Sequence, residues 1–254
     1  MLALALGLAL ALPARSQSPH PWLVPAPRLA KQAHFTNLAD GARIETPFVL
    51  KFGLTGAGLA PFVKEQAGTG HHHLLINRDL PMDLTQPLPF NDQYIHFGKG
   101  QMETVLTLKP GDYTLRLVLA DHRHVPNFIY SKPVHITVTR FNADVAPDSL
   151  SSPGVAVLLP KNQVPVRTPL QVLFHASKLN VSHHALQQPG TGHFRLSMAA
   201  EGGRSEVMDF AEGQTEAWLM PPRGRYSLKV DFIDNTGTGA VLHSSAPVAL
   251  SVGP

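Results

Sequence analysis

Six histidines and one aspartate in the first half of the chain fall into three short blocks from which a single ion could be ligated. His71, His72 and His73 stand together in "AGTGHHHLLI" (67–76), His96 lies in "YIHFG", and "ADHRHVP" brings Asp121, His122 and His124. Neutral imidazole is a good ligand for Cu, Zn and Ni. On a strand, an H-x-H pair sets two imidazoles on one side, ~7 Å apart from two rises of ~3.3–3.4 Å. Side chains alternate, so His71 and His73 point with Leu75, while His72 points the other way with Leu74 and Ile76. His122 and His124 are expected to share a face by the same rule. The candidate ligands are therefore His72, His73, His96, His122 and His124, with at most one of His72 and His73 joining the cluster. Met82 and Met102 could add thioethers, although methionine in a β-protein more often fills the core.

Strands must position these groups. "YTLRLVLAD" alternates Leu115, Leu117 and Leu119 against Arg116, and "KPVHITV" alternates Val134, Ile136 and Val138 against His135 and Thr137. "AHFTNL", "PFVLKF", "HHHLLI", "QYIHFG" and "METVLTL" complete a count of seven strands in about one hundred residues, the tally of an all-β, immunoglobulin-like sandwich. The 23 prolines suit turns and strand edges and argue against helices. "KPGDY" (109–113) and "PRGRY" (222–226) each set a glycine turn before a tyrosine whose hydroxyl could pin the strand corner.

The sequence repeats. "FGKGQMETVLTLKPGDYTLRLVLAD" (97–121) aligns without a gap on "FAEGQTEAWLMPPRGRYSLKVDFID" (210–234), "TPFVLKFGLTGAGL" (46–59) on "TPLQVLFHASKLNV" (168–181), and "GTGHHHLLI" on "GTGHFRLSM" (190–198). Three blocks in one order mark a tandem duplication. The expected units are 30–140 and 155–254, joined by a Ser- and Pro-containing linker at 141–154.

The second copy serves as an internal control. Phe194 and Arg195 stand where the first half has His72 and His73, Asp209 replaces His96, and Asn235 and Gly237 replace His122 and His124. Joint loss of the imidazoles is what a shared site would show. His71 and Asp121 are retained as His193 and Asp234 and are expected to support the fold through hydrogen bonds.

Composition narrows the partners. The formal charge of +3 comes from Lys and Arg scattered along the chain without a stripe, which gives no footing for nucleic acid. There are no cysteines, so no disulfide is available. Residues 1–18 open with "LALALGLALAL", too short an apolar run to span a bilayer, followed by small residues suited to cleavage. The expectation is a signal peptide, a periplasmic or secreted mature protein, and no transmembrane segment after processing.

"GTGHHHLLI", "YIHFGKGQMET" and "LRLVLADHRHVP" together resemble a bacterial family of exported domains of unknown function, marked by a glycine-histidine block, a His-Phe-Gly-x-Gly-Gln block and an Asp-His-x-His-Val-Pro block. The resemblance covers about residues 45–140, departs at Met102 and Asn127, and makes the second unit similar to a degenerate copy. It implies export and a role for the histidines, and names no reaction.

Two other readings stand beside a Cu or Zn site. No nucleophile elbow, H-E-x-x-H, phosphate loop or dinucleotide fingerprint is present, which leaves little to support an enzyme. A protein- or glycan-binding module with a metal-free histidine cluster is the alternative. Its surface would be the loop 77–92, which carries Leu80, Met82, Leu84 and Phe90 and is nine residues longer than its counterpart. An exported protein partner would dock there.

Overall fold

The period-two segments fold as strands, and the described residues of the first half contain ten: β1 (Gln32–Phe35), β2 (Ala42–Thr46), β3 (Phe48–Thr55), β4 (Gly58–Leu59), β5 (Thr69–Ile76), β6 (Tyr94–His96), β7 (Glu103–Leu106), β8 (Gly111–Ala120), β9 (Pro126–Tyr130) and β10 (Val134–Phe141). The computed structural model describes residues 19–27 and 30–253; the expected signal peptide, 1–18, lies outside the described residues. One sheet runs β1-β3-β7. The other runs β2-β10-β8-β5-β4, with β6 beside β5 and β9 beside β8. Pairing is antiparallel except for β2 with β10 and β4 with β5.

The second half repeats the plan with β11 (Gly154–Leu159), β12 (Val164–Val166), β13 (Leu170–Ser177), β14 (Gly192–Ala200), β15 (Ser205–Phe210), β16 (Glu216–Leu219), β17 (Gly224–Asp234), β18 (Val241–Ser244) and β19 (Val248–Val252). Its sheets run β11-β13-β16 and β12-β19-β17-β14-β15, with β18 beside β17. Two all-β sandwiches of immunoglobulin-like topology from one duplicated sequence are what the strand pattern requires. Both tyrosine corners form: Tyr113 Oη donates to Lys109 O at 2.9 Å and Tyr226 Oη to Pro222 O at 2.7 Å.

Alternation supplies the core. Leu50, Phe52 and Leu54 of β3 and Leu115, Leu117 and Leu119 of β8 are fully buried, as are Val172 and Phe174 of β13 and Leu228 and Val230 of β17. Each such side chain contributes ~1.5–3 kcal/mol on leaving water. These residues belong to one continuous apolar cluster that runs through both sandwiches.

The seam between the halves follows the duplication. Val181 N donates to Gly100 O at 2.9 Å, and its counterpart Leu59 N donates to Gly213 O at 2.8 Å. Thr215 Oγ1 donates to Leu54 O (3.0 Å) and accepts from Leu54 N (2.9 Å), both buried. His175 Nε2 lies 2.9 Å from Glu103 Oε2, which also accepts from Ser177 Oγ at 3.1 Å. Between Phe141 and Gly154 the chain makes one 3₁₀ turn, Pro147–Leu150. Among the described residues no helix is long and apolar enough to cross a membrane.

Candidate metal centre

Strand β5 lies between β8 and β6, and every residue of it is buried. His71 and His73 point to one side, as alternation demands. Residues directly opposite on antiparallel strands share a face, so the His73–His96 pairing across β5 and β6 adds His96 to that side. His124 arrives differently. It sits in a tight turn after β8 with φ +66°, its N–H donating to Asp121 O at 2.9 Å. Asp121 Oδ1 accepts from Arg123 N (2.8 Å) and Val125 N (3.0 Å) and so fastens the turn.

Four imidazoles thereby converge. His71 and His73 have Nε2 atoms 2.9 Å apart, and His96 and His124 have theirs 3.2 Å apart. Ring centroids of His71 lie 4.7 Å from His96 and 5.0 Å from His124, and those of His96 and His124 are 4.6 Å apart. One donor nitrogen each from His71, His73 and His96 fall within 4.8 Å of one another. Tetrahedral coordination at ~2.0–2.1 Å requires nitrogens roughly 3.3 Å apart, so small ring shifts would let these residues hold one ion.

Burial keeps the donors unprotonated. It pushes His71 down to about 2 and His73 to about 3, with repulsion among the clustered imidazoles adding to the effect, and it lowers His96 and His124 as well. A neutral imidazole presents the lone pair that a metal needs. Two phenylalanines flank the group. Phe62 stands 5.5 Å from His96 and 5.4 Å from His124, and Phe90 stands 5.1 and 4.8 Å from the same rings. Both rings are substantially exposed. Gly98 makes the approach possible, since a Cβ there would collide with the His96 ring and with Phe62.

The placement corrects the sequence expectation at three points. His71, assigned to fold support, faces the cluster beside His73. His72, a candidate ligand, turns into the core against Phe52, with ring centroids 5.4 Å apart and both ring nitrogens buried without a partner; the strand alternation that joins His71 to His73 sends it there. His122 and His124 share no strand face, because β8 ends at Ala120 and the chain turns. His122 lines a cleft of about 480 Å³ beside Lys64 and Asn127, to which His71 and Asp121 also contribute. Met102 is wholly buried in the core and Met82 fully exposed. Phe62 and Gly98 were missed, and nothing in their local pattern separates them from ordinary loop residues.

The long loop 77–92 folds back over the site. Leu88 is buried with Leu75, Val118 and Ala120, with Leu80 against them, and Leu88 N donates to His124 O at 2.9 Å. Leu84 is partly buried. Phe90 is the loop residue that reaches the imidazoles.

In the second half a fixed ion pair takes the equivalent place. Arg195 and Asp209, the counterparts of His73 and His96, pair across β14 and β15, and Arg195 Nε donates to Asp209 Oδ1 at 2.6 Å. His193 Nδ1 lies 2.7 Å from Asn235 Oδ1, so the retained histidine does serve the fold there. The ring of His184, the counterpart of Phe62, packs 5.4 Å from it.

Comparison with known proteins agrees with the repeat. The family model DUF4399, a domain of unknown function, matches residues 50–139 and again 172–253. No curated protein matches. Among solved structures, the fibronectin(III)-like modules of Clostridium thermocellum CbhA are 15% identical, with 87% of this chain and 93% of that one covered and a TM-score of 0.28. A two-domain fibronectin type-III segment of chicken tenascin is 12% identical, covering 88% and 98%, with a TM-score of 0.20.

Proposed function

The chain belongs to the DUF4399 family of domains of unknown function, and from that premise we propose that it is an exported, non-catalytic protein whose first half binds one transition-metal ion. The observation that carries this reading is the convergence of His71, His73 and His96 on a common point, with His124 in hydrogen-bonding contact with His96. Copper and zinc are the metals that an imidazole set suits in the periplasm or outside the cell. The ligand set we infer is His71, His73, His96 and His124.

The second half supports the assignment by contrast. It keeps the strands and the pairing register, yet fills the equivalent position with Arg195 and Asp209, a cation and an anion supplied by the chain itself. Such a half needs no ion. Its role is to complete the continuous core, so one metal per chain is expected.

Calorimetric titration of Cu(II) and Zn(II) into the full mature chain, free of any affinity tag, tests the proposal. One equivalent should bind, and His96→Ala and His124→Ala should each weaken binding by tenfold or more. These two residues are only partly buried, so their variants are expected to fold. Absence of binding by these ions and by Ag(I) alike, or binding indifferent to both substitutions, would return the cluster to a hydrogen-bonded structural role and move attention to Phe90 and the exposed Met82 of the long loop as a protein- or glycan-docking surface.

A further inference from the structure

We propose that the four-histidine centre prefers a monovalent soft cation, Cu(I) with Ag(I) as its redox-inert analogue, over the dications Zn(II) and Cu(II). The inference rests on the metal-binding reading above and concerns the charge of the ion, which the surroundings of the site decide.

The four imidazoles bring no negative charge. Asp121 is the acidic side chain beside them, and it is already engaged: Oδ1 accepts from two backbone N–H groups and Oδ2 lies 3.5 Å from the Arg123 guanidinium. An ion bound between buried His71 and His73 would therefore keep its full charge in a poorly solvated place. The cost of desolvating an ion rises with the square of its charge, so a dication there costs roughly four times as much as a monocation.

Two further features act in the same direction. Zinc-ligating histidines almost always donate their second N–H to a carboxylate, carbonyl or water, which raises ligand basicity. Nδ1 of His71 and Nδ1 of His73 are both buried with no carboxylate or carbonyl of the protein as partner. Phe62 and Phe90 close the flanks with aromatic rings in place of oxygen ligands; a ring face attracts a cation without neutralising it. Neutral nitrogen donors in turn exclude sodium and potassium, which take oxygen ligands, and leave Cu(I) as the biological monocation of suitable softness.

The second half shows how this scaffold treats a cation of its own. Where Arg195 places a positive charge on the same face, Asp209 stands against it through two hydrogen bonds of 2.6 and 3.2 Å. The corresponding position in the first half is His96, with no charge to offer.

Ag(I) and Zn(II) titrated in competition into the full chain, in chloride-free buffer at neutral pH, provide the test. Expected is one equivalent of Ag(I) bound at least tenfold more tightly than Zn(II), with both weakened tenfold or more in His96→Ala. Phe62→Glu, which adds a carboxylate beside His71, His96 and His124 at an exposed position, should raise Zn(II) affinity and narrow the difference. Zn(II) binding as tightly as Ag(I) or more so, at one equivalent and still dependent on His96, overturns the monovalent preference while leaving the site. Failure of both ions to bind, or binding that ignores His96→Ala, overturns the site itself.

Discussion

The Nε2 atoms of His71 and His73 lie 2.9 Å apart, while the residue between them turns its ring the opposite way into the apolar core. His72 there makes no hydrogen bond from either nitrogen, and burial pushes it down to about 3. A buried polar group left unpaired costs ~1–3 kcal/mol. The second half has Phe194 in this position, fully buried and 5.2 Å from Phe174. His72→Phe should therefore stabilise the protein by about 1 kcal/mol or more in urea denaturation and leave metal stoichiometry and affinity unchanged. A loss of metal binding would place His72 among the ligands after all.

His122 and His124 are two residues apart and should behave differently. His124→Ala removes a ring in contact with His96 and is expected to weaken metal binding ten- to a hundredfold, whereas His122→Ala should leave it within twofold. Equal effects in calorimetry would mean that the turn rearranges to bring both rings to the ion.

The seam should be acid-sensitive through His175. Burial lowers this imidazole below its ordinary value of 6.5, outweighing the Glu103 carboxylate beside it. Its folded value being depressed, the stability it contributes is complete above pH 6.5 and is lost as pH falls from there toward the folded value, because the unfolded chain takes up the proton first. Glu103 follows at lower pH. Burial alone would raise it, but hydrogen bonds from His175, Ser151 and Ser177 hold it below 4.5, so its contribution is lost only as pH falls beneath that value. His175→Gln keeps a donor for Glu103 and removes the titration. Between pH 6.5 and 5 the variant should lose stability less steeply than the parent, by up to about 1.4 kcal/mol per pH unit. Parallel curves would show that His175 does not titrate on unfolding.

Gly100 occupies φ +88°, and a Cβ on it would strike the carbonyl of Val181 in the other half. Gly100→Ala combines backbone strain with loss of the Val181 N–H···O=C Gly100 contact, and should destabilise the whole chain by roughly 2 kcal/mol or more. Denaturation should remain a single transition, because the core is continuous across the seam. Two separated transitions in the parent protein would instead mean that the halves fold independently.

Metal should stabilise the folded chain, since the four donors come together only on folding. At a free ion concentration one hundred times Kd the gain is ~2.7 kcal/mol, visible as a rise in Tm that a chelator reverses. His96→Ala should cut the rise to about half or less. An ion that bound without shifting Tm would be sitting on surface histidines.

Much of this was legible in the residues. Alternation along "YTLRLVLAD" and "KPVHITV" marked strands, the paired "GTGH" and "F-x-x-GQ" blocks marked two copies of one sandwich, and the three histidine blocks marked the half in which the imidazoles gather. Such features are local, set by the two-residue period of a strand and by comparison of the chain with itself. Alternation likewise placed His71 and His73 on one side and His72 on the other, but it could not say which side meets solvent-facing partners and which meets Phe52. That was decided by the pairing of β5 with β6, which lays His96 opposite His73, and by the turn that Asp121 fastens, which lifts His124 toward the cluster and leaves His122 outside the group of converging rings. Phe62, Phe90 and Gly98 joined the site for the same reason: their contacts are made across loops far apart in sequence, where no period links them. The exchange of His73 and His96 for an Arg195–Asp209 ion pair was likewise written in the sequence as two unrelated substitutions, and only strand register made them one event.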